Sequence, residues 1–280
     1  MKEWTIEGSG GLPIHGNTHT PDGGACAHVV LVHGFAGCKD RNIVPALTRS
    51  LGSACVVHRC TLSHAGVAKD ADRITDHDAF SGDSLAHCVE DVRRVVAHLG
   101  MPAGLPFVLI GHSRGGATVL RCASESSGAG WARTPDGVVS VAGTATYTRF
   151  SEAMATELAE RGFVERACAR ADGGAVRLGR SWYEHHLDEP GRDLFREDCA
   201  RVACPVLIVH GDADATVPIE DAERTRGLLA SGVCPSVRVV RVEGGDHNLN
   251  SGGFGFDRAN IETDQTRLAT VEILRFIRGL

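Results

Sequence analysis

Aromatic side chains are scarce in this chain: nine Phe, three Trp and two Tyr make up 5 % of 280 residues. The sequence therefore shows no evident stacking platform for a flat ligand. A basic excess is missing too. Lys and Arg number 29 against 35 Asp and Glu, a formal net charge of −6. That argues against a nucleic-acid partner or an anionic membrane surface, both usually met by clustered positive charge. Long apolar runs are absent; the longest, such as 29–32 and 107–110, are strand-length, against roughly 20 residues for a membrane helix. The opening Met-Lys-Glu-Trp-Thr-Ile-Glu-Gly has acidic groups where a secretory signal needs an apolar stretch. The expectation is a soluble cytoplasmic protein. No internal repeat and no low-complexity tract occurs. The ten cysteines include no Cys-x-x-Cys pair and sit mostly in apolar segments. They read as reduced, small packing residues rather than a disulfide frame.

What is present fits an ordinary globular chain, 42 % hydrophobic and 23 % charged. At roughly 150 residues per domain the length suggests about two domains, although single α/β domains run this long. Strand-like and helix-like stretches alternate, the α/β signature. Residues 2–7 and 14–18 read as a leading hairpin. The apolar, β-branched run 28–33 reads as a strand buried on both faces, followed by a helix over 42–51 and a strand over 54–61. The polar stretch 61–82 reads as a long surface loop. Residues 84–99 carry Leu85, Cys88, Val89, Val92, Val95, Val96 and Leu99 at helical spacing, stopped by Gly100 and Pro102. Strands over 106–110, 137–142, 205–209 and 237–242 follow, with helices over 115–124 and 219–229. The last helix, 263–277, is expected to turn Leu268, Val271, Leu274 and Phe276 or Ile277 inward. One block breaks the alternation. Residues 144–203 hold a helix (150–161), a hairpin turning at Asp172-Gly173-Gly174, and a second helical piece from 181 toward 198. A plain crossover needs only about a dozen residues, so the block reads as an insertion covering one end of the sheet.

The chemistry centres on Gly111-His112-Ser113-Arg114-Gly115, between a strand and a helix. A turn this sharp excludes side chains at its flanks, hence glycine, and it lifts a serine hydroxyl above the sheet edge. A glycine-rich turn with a capping serine is the bland alternative. A serine hydroxyl needs a base, and the base an orienting acid. After the 205–209 strand comes His210-Gly211-Asp212-Ala213-Asp214-Ala215-Thr216-Val217-Pro218, where Asp212 and Asp214 compete for the acid's role. After the 237–242 strand comes Glu243-Gly244-Gly245-Asp246-His247, where an imidazole can reach the serine. Ser, Asp and His each follow a strand end, in that order. The glycine-rich exit His33-Gly34-Phe35-Ala36-Gly37 is suited to an oxyanion site, with backbone N–H groups of Phe35 and Arg114 as donors.

With these motifs in place, the sequence resembles the α/β-hydrolase family over nearly its whole length. The resemblance implies a mostly parallel eight-stranded sheet flanked by helices, forming one domain over 1–280 with a lid over 144–203. It implies Ser113 as nucleophile, His247 as base and Phe35 with Arg114 as oxyanion donors. The family's His-Gly-x-x-Asp-x-x-Val-Pro pattern selects Asp214, which spacing alone leaves open. Within the family the chain looks like small intracellular esterases of the cinnamoyl/feruloyl type, with Arg177-Leu178-Gly179-Arg180-Ser181-Trp182-Tyr183 as part of the lid. It departs where many members carry Gly-x-Gly-x-Ser; here the residues are Ser63-His64-Ala65-Gly66-Val67. The implied activity is hydrolysis of a small carboxylic ester with no metal and no organic cofactor. Thioesterase, peptidase and acyltransferase chemistry on the same groups, and a ligand-binding module without turnover, are the alternatives.

Trp182, Tyr183 and His112 are candidates for substrate contact. Packing within the lid is the alternative for the first two and for His185-His186. Packing with one hydrogen bond is the alternative for His112, and the reading for His33. Asp76-His77-Asp78 reads as solvated rather than metal-binding. The glycine-rich 251–255 stretch reads as a connection.

Overall fold

The computed structural model describes residues 1–69, 71–250 and 263–280, so the 251–255 connection lies outside the described residues. A leading hairpin, β1 (Lys2–Glu7) and β2 (Pro13–His19), precedes β3 (His28–Val32), α1 (Val44–Gly52) and β4 (Val56–Thr61). Then come α2 (His77–Ser81), α3 (Leu85–Leu99), β5 (Phe107–His112), α4 (Arg114–Glu125) and β6 (Gly137–Val141). The inserted block supplies α5 (Glu152–Arg161), β7 (Phe163–Ala167), β8 (Ala175–Gly179), α6 (Glu184–Leu187) and α7 (Leu194–Arg201). The chain closes with β9 (Val206–Gly211), α8 (Ile219–Ala230), β10 (Val237–Val242) and α9 (Asp264–Arg278).

Eight strands form one sheet in the order β1-β2-β4-β3-β5-β6-β9-β10. β2 runs antiparallel to both β1 and β4, and every other pairing is parallel. Every residue of β3, β5, β6 and β9 is buried, which is why these strands read as unbroken apolar runs rather than alternating ones. Alternation survives in three dimensions. Val30, Val32 and Leu109 pack with α3, α4, α7 and α8 on one face. Val29, Leu31 and Ile110 pack with α1 and α9 on the other.

Helix α3 follows its spacing: Ser84 caps it by accepting from the His87 N–H at 3.0 Å, and Gly100 ends it at φ +51°. Helix α9 does not. Leu268 and Val271 stay 43 % and 39 % exposed, while Ala269, Ile273 and Ile277 face the core. Two apolar stripes compete on this helix. On the buried side the Thr266 hydroxyl donates to the Leu249 carbonyl at 2.9 Å.

The 61–82 stretch also differs from its reading as a surface loop. Ser63–Ala65 forms a buried 3-10 turn, and Ile74 and Phe80 are almost wholly enclosed. They join Leu158, Val164, Val176, Leu178, Trp182 and Tyr183 in a third, smaller core. The apolar residues of this stretch are too sparse to show a period, and their partners lie some 80 to 110 residues further along. The 144–203 block is divided between cores. Phe195 and Cys199 of α7 pack in the main core against α4 and α8. All ten cysteines are free thiols, seven of them buried.

Burial also holds several histidines neutral. It is the leading cause that lowers His33, His112 and His185 to about 4 and His58 to about 3. An exposed imidazole titrates near 6.5. Below that value the unfolded chain binds protons that the folded chain refuses. Stability from these groups is therefore complete above about pH 6.5 and drains away as pH falls toward about 4. Thermal unfolding measured from roughly pH 7 to pH 4 is expected to show Tm falling throughout this window. A flat Tm would contradict it.

Candidate active site

β5 ends at His112, and Ser113 takes φ +57° and ψ −123° before α4 begins at Arg114. A non-glycine residue in so sparse a region costs about 1–3 kcal/mol and persists only where its surroundings enforce it. Here they do. A Cβ on Gly111 would stand 2.0 Å from the Gly115 carbonyl oxygen, and one on Gly115 would stand 2.5 Å from those of Val32 and His33. The Ser113 N–H is tied to the Val141 carbonyl at 2.9 Å.

Three side chains from distant loops meet at this turn. The Ser113 hydroxyl donates to His247 Nε2 at 3.0 Å, and His247 Nδ1–H donates to Asp214 Oδ2 at 2.7 Å. The other oxygen of Asp214 accepts from the N–H groups of Thr216 and Val217 at 2.8 and 2.9 Å. Burial pushes the Asp214 carboxyl up. The Val217 N–H, the His247 contact and the Thr216 N–H outweigh it, and the group lies below the usual carboxylate range. It is therefore ionised near neutrality and fixes the proton of His247 on Nδ1. Asp212 is occupied elsewhere, accepting from Arg241 Nε at 2.9 Å and from the Gly244 N–H at 2.8 Å.

The Gly34–Phe35 loop abuts the serine. A Cβ on Gly34 would lie 2.8 Å from Ser113 Cβ and 3.4 Å from its hydroxyl oxygen. His33 braces this loop: its Nδ1–H donates to the Gly34 carbonyl at 2.9 Å, and its Nε2 accepts from the Leu62 N–H at 3.1 Å. The backbone N–H groups of Phe35 and Arg114 have no protein partner among the described residues. Two donors on the segments that meet at Ser113 are thus free, one of them at a helix N-terminus.

Beyond the serine opens a cleft of about 440 Å³ lined by Phe35, Tyr147, Leu178, Trp182 and Tyr183 among others. Four aromatic residues line it, and Phe80 packs behind them. The Phe35 ring meets Phe80 and Trp182 edge-on, each at 5.5 Å. Trp182 donates its indole N–H to the Phe80 carbonyl at 2.8 Å. The Arg114 side chain turns away from the serine, its guanidinium 4.2 Å over the Trp182 ring and 2.6 Å from Asp83. That clamp joins α4 to the inserted block.

His112 lies outside the cleft. It sits beneath the histidine loop, 3 % exposed, with Nε2–H donating to the His247 carbonyl at 2.8 Å. It props His247 and does not face the cleft. His186 packs as well, its Nε2 2.7 Å from the Thr148 carbonyl and its ring stacked on Phe150. Asp76 is the N-cap of α2, accepting from the Ala79 N–H at 2.9 Å. A different trio, His64, Asp83 and His87, brings its potential ligand atoms within 4.8 Å. The two rings, however, stack 13° from parallel. Imidazole lone pairs lie in the ring plane, so these do not converge on one ion.

The alpha/beta hydrolase family model matches residues 29–252. The chain belongs to the alpha/beta hydrolase family. Several solved structures resemble this alpha/beta hydrolase in fold. Est1E from Butyrivibrio proteoclasticus, solved with ferulic acid bound, superposes with a TM-score of 0.68 at 18 % identity, over 99 % of this chain and 98 % of that one. Alpha/beta hydrolase domain-containing protein 10 from mouse gives 0.66 at 18 %, over 100 % and 99 %. A monoacylglycerol lipase from Paleococcus ferrophilus gives 0.63 at 17 %, over 95 % and 98 %. Among the described residues no helix is long and apolar enough to cross a membrane.

Several residues of this alpha/beta hydrolase site carry no sequence signal of their role. Tyr147 lines the cleft while its hydroxyl donates to Asp198 at 2.5 Å. Gly116 is required because a Cβ there would stand 2.5 Å from Ser140 Oγ. Asp91, on the buried face of α3, accepts from the Ser9 and Ser63 N–H groups at 2.7 Å each and so holds the departing Ser63-His64-Ala65 segment in place.

Proposed function

We propose that this chain is a serine hydrolase that cleaves small carboxylic esters through an acyl-enzyme. The observation that carries this reading is the hydrogen-bonded line Ser113–His247–Asp214 beside the unpaired amides of Phe35 and Arg114. Ser113 Oγ attacks the ester carbon while His247 Nε2 takes its proton, and ionised Asp214 holds the resulting imidazolium in place. The carbonyl oxygen becomes an oxyanion and accepts from the two amides, each such donor typically worth about 3–4 kcal/mol in the transition state. The C–O bond then breaks, and His247 returns the proton to the leaving alcohol. In the second half His247 deprotonates a water, which attacks the acyl-serine. The acid departs and Ser113 recovers its proton. Each proton moves between Ser113, His247, the alcohol and water, so the cycle needs no metal or organic cofactor. The inserted 144–203 block acts as a lid through its 150–187 part, and its Trp182 and Tyr183 contact the substrate.

The test is steady-state turnover on matched short-chain esters, thioesters and anilides. Multiple turnover on esters, ahead of the other two, is expected. Faster thioester or anilide cleavage would reassign the substrate class. Binding without multiple turnover on any of them would leave a ligand-binding module.

A further inference from the structure

The chain as a whole is acidic, but the cleft is not. Its charged lining residues are Arg114, Arg149 and Arg166, with no Asp or Glu among the described lining. Arg114 is engaged by Asp83 and Trp182. Arg149 stands at the rim with its side chain 66 % exposed and 3.9 Å from Asp221. Arg166 differs from both. It projects from β7 and is partly buried, and its only hydrogen bond among the described residues is to the adjacent Glu165 carbonyl at 3.2 Å. No described carboxylate lies within ion-pair distance of it.

The neighbouring Tyr183 is fully buried, lines the same cleft, and has a hydroxyl without a partner among the described residues. Burial pushes its phenol up, the Arg166 guanidinium pulls it down and the Glu157 carboxylate pushes it up again, so the hydroxyl keeps its proton near neutrality. Glu157 is itself held by Arg161 at 2.8 Å and the Glu165 N–H at 3.0 Å, which leaves the Arg166 guanidinium as the charge on the cleft side. Met154 and Leu178 make the nearby lining apolar. A buried hydroxyl left unpaired costs free energy, and a guanidinium beside apolar surface favours a paired anion. One ligand group satisfies both. A carboxylate can accept two parallel N–H bonds from the guanidinium and the phenol O–H besides.

We infer that Arg166 and Tyr183 form an anion-recognising end of the cleft, so that the preferred ester carries a carboxylate separated from the scissile bond by a short apolar spacer. This rests on the ester-hydrolase reading above. The spacer is required because the serine and the Arg166–Tyr183 pair line one cleft with apolar side chains around them. The carboxylate belongs either to the acyl part, as in a half-ester of a dicarboxylic acid, or to the alcohol part.

Binding to Ser113→Ala protein tests the inference without turnover. The acyl-side pair is monomethyl adipate against methyl hexanoate, and the alcohol-side pair is 6-acetoxyhexanoate against hexyl acetate, measured by calorimetry. In at least one pair the anionic ester is expected to bind about tenfold tighter or more, a preference that shrinks as salt is raised. Adding Arg166→Gln is expected to bring that ratio to within about twofold of unity, whereas Arg166→Lys keeps part of it as a point charge. Arg166→Met serves if the Gln variant does not fold. Equal binding within both pairs, or a preference that survives loss of the Arg166 charge, would overturn the inference. Wild-type ester turnover without any anion preference would sink this inference alone. An anion preference without turnover of any ester would sink the hydrolase reading instead.

Discussion

Ser113→Ala is expected to lower turnover of a short p-nitrophenyl ester by roughly 10⁵-fold or more, with the fold intact. The variant keeps the Cβ, and the strained turn is enforced by backbone contacts at Gly111 and Gly115 rather than by the hydroxyl. What disappears is the atom that bonds to the acyl carbon. His247 remains to activate water and the Phe35 and Arg114 amides remain to hold an oxyanion, so a small residual rate is expected. The measurements are kcat on the ester and Tm on the same preparations. Turnover within about tenfold of the parent would mean that another group attacks the ester.

The second large effect separates two aspartates two residues apart. Asp214→Asn is expected to lower kcat by roughly 10⁴-fold, whereas Asp212→Asn leaves most of it. The asparagine oxygen can still accept from the Thr216 and Val217 N–H groups, but its amide then turns an N–H toward His247. The imidazole responds by carrying its proton on Nε2, where it can no longer accept from Ser113. Asp212 stabilises only the base of the histidine loop, through Arg241 and Gly244. Its partner Arg241 is 67 % exposed, so water screens the pair and little rests on it. Kinetics of both variants on one ester decide the matter. Large loss in the Asp212 variant with little in the Asp214 variant would reverse the assignment.

Much of the fold was legible because its signals are local. Short apolar, β-branched runs placed the central strands, and period-3.6 spacing placed α3. The buried run His28–Val32 could be read as a central strand because both of its faces must be covered. The candidate site was legible for a similar reason: Ser113, Asp214 and His247 each follow a strand end, and a parallel sheet gathers such ends at one edge. On α9 the expected inward face holds for Ile277 and Leu274 and fails for Leu268 and Val271. Leu268 and Val271 offer α9 as good an apolar stripe as Ala269, Ile273 and Ile277.

The 61–82 stretch and the arginines of the cleft wall were illegible for the opposite reason. Ile74 and Phe80 bury against side chains of the inserted block, and Arg149 and Arg166 line the cleft from separate parts of that block. No spacing rule links residues that are neighbours only after folding. His112 belongs to the same class, since its role beneath His247 depends on a loop 135 residues away.

The sequence by itself determined the layered α/β architecture, the strained turn at Ser113 and the strand ends from which a base and an acid could come, because each follows from backbone geometry over a few residues. The tertiary structure decided what spacing left open or misjudged: which of the two aspartates meets His247, that Leu268 and Val271 of α9 stay outside, and which arginines line the cleft. Those choices depend on the charge and shape of groups brought together from far along the chain.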